Sequence, residues 1–273
     1  MTNIGVFDSG VGGLWILKHL RAELPGYNYV FFGDQGHVPY GDKSKDEIRD
    51  FSEGITRFLI SKNCKIIVIA CNTASAASLK YLREKFPEVI FVGLEPAVKP
   101  ATEITKTKRI GILATPMTFQ GDLFNSSVDK YANGIEIFKN TCDGLVLEIE
   151  KGDFDGQRTK EILEGALYPM LEENVDTVVL GCTHYPLVIG EIKKIVGDKI
   201  RIIDPTPSIV RQVEKILEEN NLSIGIKEKD GEIEIFTSGE SEGMENVLEK
   251  LFGGKIKVEK INLENLQVLN MVE

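Results

Sequence analysis

The chain is poor in the residues that announce several common chemistries. Its 4 cysteines lie at positions 64, 71, 142 and 182, far apart and without the paired Cys-x-x-Cys spacing of a zinc site. Histidine occurs 3 times and tryptophan once. Basic side chains are outnumbered, 32 Lys and Arg against 42 Asp and Glu, and the formal charge of -10 repels phosphate backbones and anionic lipid alike. No apolar run approaches the roughly 20 residues of a membrane-spanning helix. The opening Met1-Thr2-Asn3-Ile4-Gly5 lacks the basic and then apolar segment of a secretion signal. Low-complexity tracts and solenoid repeats are missing as well. These absences predict a cytosolic, cytoplasmic protein with reduced thiols and no nucleic-acid, membrane or metal partner.

What is present is ordinary globular composition, 42% apolar and 27% charged over 273 residues, enough for one large or two modest domains at roughly 100 to 200 residues each. Asn3 to Phe7 reads as a strand, Asp8-Ser9-Gly10-Val11-Gly12-Gly13 as a glycine-rich turn, and Leu14, Leu17, Leu20 and Leu24 recur at helical spacing. Tyr29 to Phe32 is the next strand, and Ser44-Lys45-Asp46-Glu47 forms a capping box ahead of a helix. Lys65 to Ala70 is apolar throughout, as in a strand buried on both faces of a parallel sheet, and a helix follows to about Phe86. After a strand at Val89 to Gly93, Glu95-Pro96 and a Thr/Lys-rich stretch up to Arg109 mark the crossing into a second domain. Further elements follow: strands at Ile110 to Leu113, Ile200 to Ile203 and Gly231 to Phe236, and helices at Pro207 to Glu219 and Glu240 to Leu251.

The second half echoes the first. Ile4-Gly5-Val6-Phe7-Asp8-Ser9 is matched by Ile110-Gly111-Ile112-Leu113-Ala114-Thr115, about 106 residues on, and Ile66 to Thr73 is matched by Thr177 to His184, about 111 residues on. Chance likeness between two α/β units is the plain alternative; the near agreement of the offsets favours duplication. The expected fold is therefore α/β, with two pseudo-twofold-related domains of mainly parallel sheet and the active site in the cleft between them. The tail beyond Pro207 could pack back on the first domain, a placement that the pattern alone leaves open.

Ligands of open parallel sheets gather at the carboxyl ends of strands, where Cys71 and Cys182 both stand, each with a helix expected just after it. A helix N-terminus favours a thiolate and binds carboxylates. Two such thiols facing one another could remove a proton from one face of a tetrahedral carbon and return one to the other face. A cysteine after an apolar strand can equally be a small buried hydrophobe, and that reading is taken for Cys64 and Cys142. His184, two residues past Cys182, is close enough to act as an acid, an ion-pair partner or a substrate contact, or it is structural. His19 and His37 are read as structural. Asp8 could orient an ammonium group or simply cap a helix. Gly10, Gly12 and Gly13 lack both the dinucleotide fingerprint and a Walker lysine, which excludes a nucleotide site.

These segments resemble one family closely. Phe7 to Leu14, Gly33-Asp34 with Pro39-Tyr40-Gly41, Ala70 to Ser75, Gly93 to Pro96 and Gly181 to Leu187 occur in the order found in the bacterial glutamate racemases of the cofactor-independent aspartate/glutamate racemase superfamily. The resemblance implies interconversion of L- and D-glutamate without pyridoxal phosphate or metal, supply of D-glutamate for peptidoglycan, a homodimer, and two α/β domains, 1–97 completed by 207–273 and 98–206, with the cleft between them. It implies Cys71 and Cys182 as the acid/base thiols, Cys71 for D-glutamate and Cys182 for L-glutamate, with Asp8 and His184 in support. Substrate contacts would be Asp8, Ser9, Tyr40, Gly41, Asn72, Thr73, Thr183, His184, Thr115 and Thr118, and Asp34 and Glu150 would be carboxylates behind them. Trp15 and Gln35-Gly36-His37 depart from the family pattern. Three other readings stay open: the same chemistry on aspartate, a thiol hydrolase using Cys182 with His184, and a noncatalytic amino-acid binder.

Overall fold

The computed structural model describes residues 3–223 and 230–262. In chain order the elements are β1 (Asn3–Asp8), α1 (Gly13–Glu23), β2 (Tyr29–Gly33), α2 (Lys45–Ser61), β3 (Cys64–Ile69), α3 (Asn72–Lys85), β4 (Ile90–Val92) and α4 (Val98–Ile104). Then come β5 (Arg109–Leu113), α5 (Pro116–Gln120), α6 (Asp122–Tyr131), β6 (Glu136–Asn140), α7 (Leu145–Glu150), α8 (Gln157–Glu172), β7 (Thr177–Leu180), α9 (Ile189–Val196) and β8 (Arg201–Ile203). The chain closes with α10 (Thr206–Glu219), β9 (Ile233–Thr237), α11 (Ser241–Phe252) and β10 (Val258–Lys260).

These strands form two sheets, parallel throughout, in the orders β10-β9-β2-β1-β3-β4 and β6-β5-β7-β8. The inner order of the first, β2-β1-β3-β4, is repeated by the second, and the two sequence echoes fall on matching strands, β1 with β5 and β3 with β7. Central strands covered by helices on both faces need apolar side chains on both. Accordingly Ile66 to Ile69 and all of β7 are buried. The chain leaves the first sheet after β4 and returns to it with β9, which pairs with β2. The expected 207–273 portion also contains 224–229 and 263–273, which lie outside the described residues.

Local chemistry accounts for the element ends. Ser44 and Glu47 exchange the two hydrogen bonds of a capping box at the start of α2. α4 packs against β7 and α6, so the chain has joined the second sheet before Thr105, part-way through the Thr/Lys-rich stretch read as the crossing. The helix expected directly after Cys182 is delayed. A turn and a short 3-10 segment, Tyr185–Val188, carrying Pro186 precede α9.

Candidate active site

The carboxyl ends of β1 and β3 lie side by side, as do those of β5 and β7. The turns that follow therefore carry Asp8, Ser9 and Cys71 on one wall and Thr115, Cys182 and His184 on the other. Between the walls is a cavity of about 20 Å³ lined by Ser9, Pro39, Tyr40, Gly41, Cys71, Asn72, Thr73, Thr115, Val146, Cys182, Thr183 and His184. All the residues expected to meet a substrate are on that surface except Asp8 and Thr118. Asp8 stands behind it, accepting from Thr183 Oγ1 at 3.3 Å, and Thr118 stands behind Thr115, hydroxyl to hydroxyl at 3.0 Å. The space is about that of a single water site, so the walls are closed on one another. A larger groove, about 660 Å³, lies around Asp176, Lys193 and Arg201 at the opposite ends of β7 and β8 and contains none of these residues.

Cys71 occupies the N-cap position of α3, where its Sγ accepts from the Ala74 N–H at 3.4 Å and faces Ser9 Oγ at 3.7 Å. Burial and then the Asp8 carboxylate push this thiol well up. The Ala74 N–H and Ser9 oppose the rise without cancelling it, so Cys71 is held as a thiol. Here the structure corrects the expectation that the helix end would favour the thiolate at this position. Desolvation outweighs the helix terminus when the cleft is shut.

Cys182 has a different neighbour. Its Sγ lies 3.8 Å from His184 Nδ1, and His184 Nε2 donates to Glu150 Oε1 at 2.6 Å. Burial alone would lower the imidazole's affinity for its proton. Cys182, Glu150 and Asp8 reverse that and raise it well above the usual histidine range. A buried imidazolium thus stands beside the Cys182 sulfur. Asp8 itself is pushed up by burial, against the pull of His184 and of the Gly13 N–H, which donates to its Oδ2 at 2.9 Å.

Glu150 is more central than a carboxylate behind the site. Its Oε1 also accepts from the Val11 N–H at 2.7 Å and its Oε2 from Gln35 Nε2 at 2.8 Å, so both walls meet on one side chain. The glycine-rich turn is shaped by this meeting. A Cβ on Gly10 would stand 1.8 Å from Glu150 Oε1, and one on Gly12 2.6 Å from His184 Nδ1. Those glycines serve close approach of the two walls rather than a phosphate.

Asp34 is fully buried and takes hydrogen bonds from His37 Nδ1 at 2.9 Å, from Tyr40 at 2.5 Å and from Ser238. It thereby fixes the Pro39-Tyr40-Gly41 turn over the cavity. Burial first, and Asp34 next, push the Tyr40 phenol well up, so it stays a donor. Asn72 is buried, and neither its Nδ2 nor its Oδ1 has a partner. An unpaired buried amide costs about 1–3 kcal/mol, which a ligand carrying both donors and acceptors recovers. Cys64 and Cys142 are buried away from the cavity. Among the described residues no group of three or more His, Cys, Asp or Glu side chains could hold a metal ion, and no helix is long and apolar enough to cross a membrane. Val146 lines the cavity without having been singled out from sequence, and Pro39 lines it as part of the Pro39-Tyr40-Gly41 turn. Val146 is the second residue of α7, a helix of 6 residues too short for a readable apolar period.

A cleft between two parallel sheets, with a thiol on each wall and a carboxylate-backed imidazole beside one of them, defines a protein built to move protons on a small polar molecule. The chain belongs to the Asp/Glu/Hydantoin racemase family, whose description matches residues 16–213. It is thus a racemase, an isomerase by reaction class. The glutamate racemase of Roseiflexus sp. (strain RS-1) is 41% identical over 248 residues, 91% of each chain. Among solved structures, the glutamate racemase of Francisella tularensis in complex with D-glutamate matches with a TM-score of 0.82 and 29% identity over 97% of this chain and 98% of that one. The glutamate racemase of Escherichia coli in complex with L-glutamate and the activator UDP-MurNAc-ala matches with a TM-score of 0.82 and 30% identity over 96% of this chain and 98% of that one.

Proposed function

We propose that this racemase interconverts L- and D-glutamate by transfer of the α-proton between Cys71 and Cys182, without a cofactor. The observation that carries the reading is a single cavity with these two thiols on opposite walls. Glutamate as substrate is supported by the relatives named above.

In this cycle Cys71, pushed up by burial and Asp8, starts as the acid, and Cys182, its Sγ 3.8 Å from His184 Nδ1, starts as the base. From L-glutamate, the Cys182 thiolate takes the α-proton, leaving a planar carbanion, and the Cys71 thiol gives its own proton to the opposite face. The enzyme then holds the reverse protonation and is ready for D-glutamate. Ser9, Tyr40, Gly41, Asn72, Thr73, Thr115 and Thr183 supply donors and acceptors for the amine and carboxylates, with Asn72 the unpaired one. Asp8 and Thr118 act one contact further out. The same reading includes the working halves 1–97 with 207–273 and 98–206, a cytoplasmic homodimer, and D-glutamate destined for peptidoglycan.

The test is proton NMR of the protein with L-glutamate in deuterated water and no added cofactor, followed together with optical rotation. Loss of the α-proton signal while rotation decays to zero is the expected result. A static signal and constant rotation would overturn the assignment of glutamate, and repeating the measurement with aspartate would then test the substrate alone.

A further inference from the structure

One residue outside the cavity is tied to its chemistry by geometry. Gln35 sits in the loop after β2, in a stretch that departs from the family pattern, and its two amide atoms are both engaged. Oε1 accepts from Thr237 Oγ1 at 3.2 Å, and Nε2 donates to Glu150 Oε2 at 2.8 Å. Thr237 ends β9, which pairs with β2, so the amide is anchored on the first sheet's side of the cleft. Glu150 ends α7, which packs with α8 and the 3-10 turn after Cys182 on the other side. Of the donors to Glu150, His184 comes from its own wall, whereas the Val11 N–H and Gln35 come from the opposite wall. The carboxylate is fully satisfied only when the walls meet.

We propose that Gln35 is a positioning residue for the Cys182 half of the reaction: it orients Glu150 on closure of the cleft, and through Glu150 it holds the His184 ring against Cys182. The inference rests on the two-thiol reading given above. A buried carboxylate that lacks one of its donors can turn about its last bond, and Oε1 then ceases to be fixed under Nε2 of the imidazole. Cys71 makes no hydrogen bond to Gln35, Glu150 or His184; its neighbours are Ser9, the Ala74 N–H and the Asp8 carboxylate.

Isotope effects separate this role from a merely structural one. Enantiomers have equal free energies in water, so kcat/KM must be equal in the two directions and a variant lowers both together. The step that limits them need not stay the same. With α-deuterated substrates, slowing transfer at Cys182 raises the isotope effect for the enantiomer that Cys182 deprotonates and lowers it for the other.

The experiment uses the full chain with Gln35→Met, which keeps length without a donor, and Gln35→Glu, which keeps shape and the acceptor for Thr237 but sets like charge against Glu150. Expected are falls in kcat/KM of about tenfold for Gln35→Met and more for Gln35→Glu, each with the opposed isotope shifts, at a melting temperature close to wild type. Wild-type rates, equal isotope shifts for the two enantiomers, or Gln35→Glu more active than Gln35→Met would each overturn the proposal. If wild-type protein fails to racemise glutamate, the underlying reading fails first, and that is seen before any variant is made.

Discussion

Thr73 and Thr115 touch across the cleft, hydroxyl to hydroxyl at 2.8 Å, one from the first turn of α3 and the other from the turn after β5. Both line a space of about 20 Å³, into which an amino acid cannot fit while they remain in contact. Binding therefore requires the walls to part and the substrate's polar groups to take over the bonds that now join them. This contact, the Thr183–Asp8 hydrogen bond and the Glu150 cluster all join the walls in the shut form.

Each thiol should be indispensable to inversion. Cys71→Ala and Cys182→Ala are expected to lower racemisation by at least the roughly 10²–10⁴-fold attributed to one general acid or base. Polarimetry on both enantiomers reads this directly. Retention of most activity in either variant would eliminate the two-thiol scheme.

The His184–Glu150 pair should tune rate and pH response together. Glu150→Gln removes a charge that raises the imidazole's proton affinity, so the imidazolium is lost at lower pH than in wild type. The alkaline limb of kcat/KM then moves to lower pH. His184→Asn should reduce kcat by about 10–100-fold with a smaller change in KM. Because it strands a buried carboxylate, it should also cost up to about 3–5 kcal/mol of stability, read from urea unfolding. An unmoved pH profile in Glu150→Gln would return the pair to a structural role.

How far the sequence foretells this site depends on the range of each interaction. The strand before Asp8, the Ser44–Glu47 box and the two cysteine turns are patterns within a few residues, and each appears where its pattern lies. The likeness of the halves was legible because a duplication repeats such local patterns. Glu150 is different. It pairs with a backbone N–H 139 residues away, and nothing near it in sequence separates it from an exposed glutamate such as Glu161. The need for glycine at 10 and 12 is likewise set by the opposite wall. Between residues 114 and 176 the half-exposed edge strand β6 and the short α5 and α7 left little periodicity to read, and in the longer α8 an internal Pro169 interrupts the helical pattern.

Stability should fall in alkali for a reason unrelated to catalysis. Burial pushes the Cys64 and Cys142 thiols up to about 12 from 9.0. A pKa raised by folding stabilises fully below the unfolded value and is lost as pH rises through the folded one. The chain should therefore weaken between about pH 9 and 12 as these thiols ionise on unfolding. Urea midpoints across that window, compared with those of the Cys64→Ala and Cys142→Ala double variant, isolate the contribution. Equal slopes in the two proteins would assign the loss to other groups, Tyr29 among them, whose hydroxyl burial also pushes up.

Gly10→Ala offers the sharpest test of whether wall-to-wall contact matters to the chemistry. The added methyl would stand 1.8 Å from Glu150 Oε1 and 2.6 Å from its carboxyl carbon, well inside contact distance, so Glu150 or the turn must shift. Nothing in the core of either sheet is touched, since the clash lies in the cleft. The Val11 N–H and Gln35 bonds to Glu150 would be lost or lengthened, and His184 would lose its fixed partner. A fall in kcat/KM of about 10²-fold with a melting temperature within a few degrees of wild type is the expected pairing, since a misplacement of about 1 Å carries that penalty. Full activity in Gly10→Ala would mean that the walls need not meet through Glu150 for the proton to move.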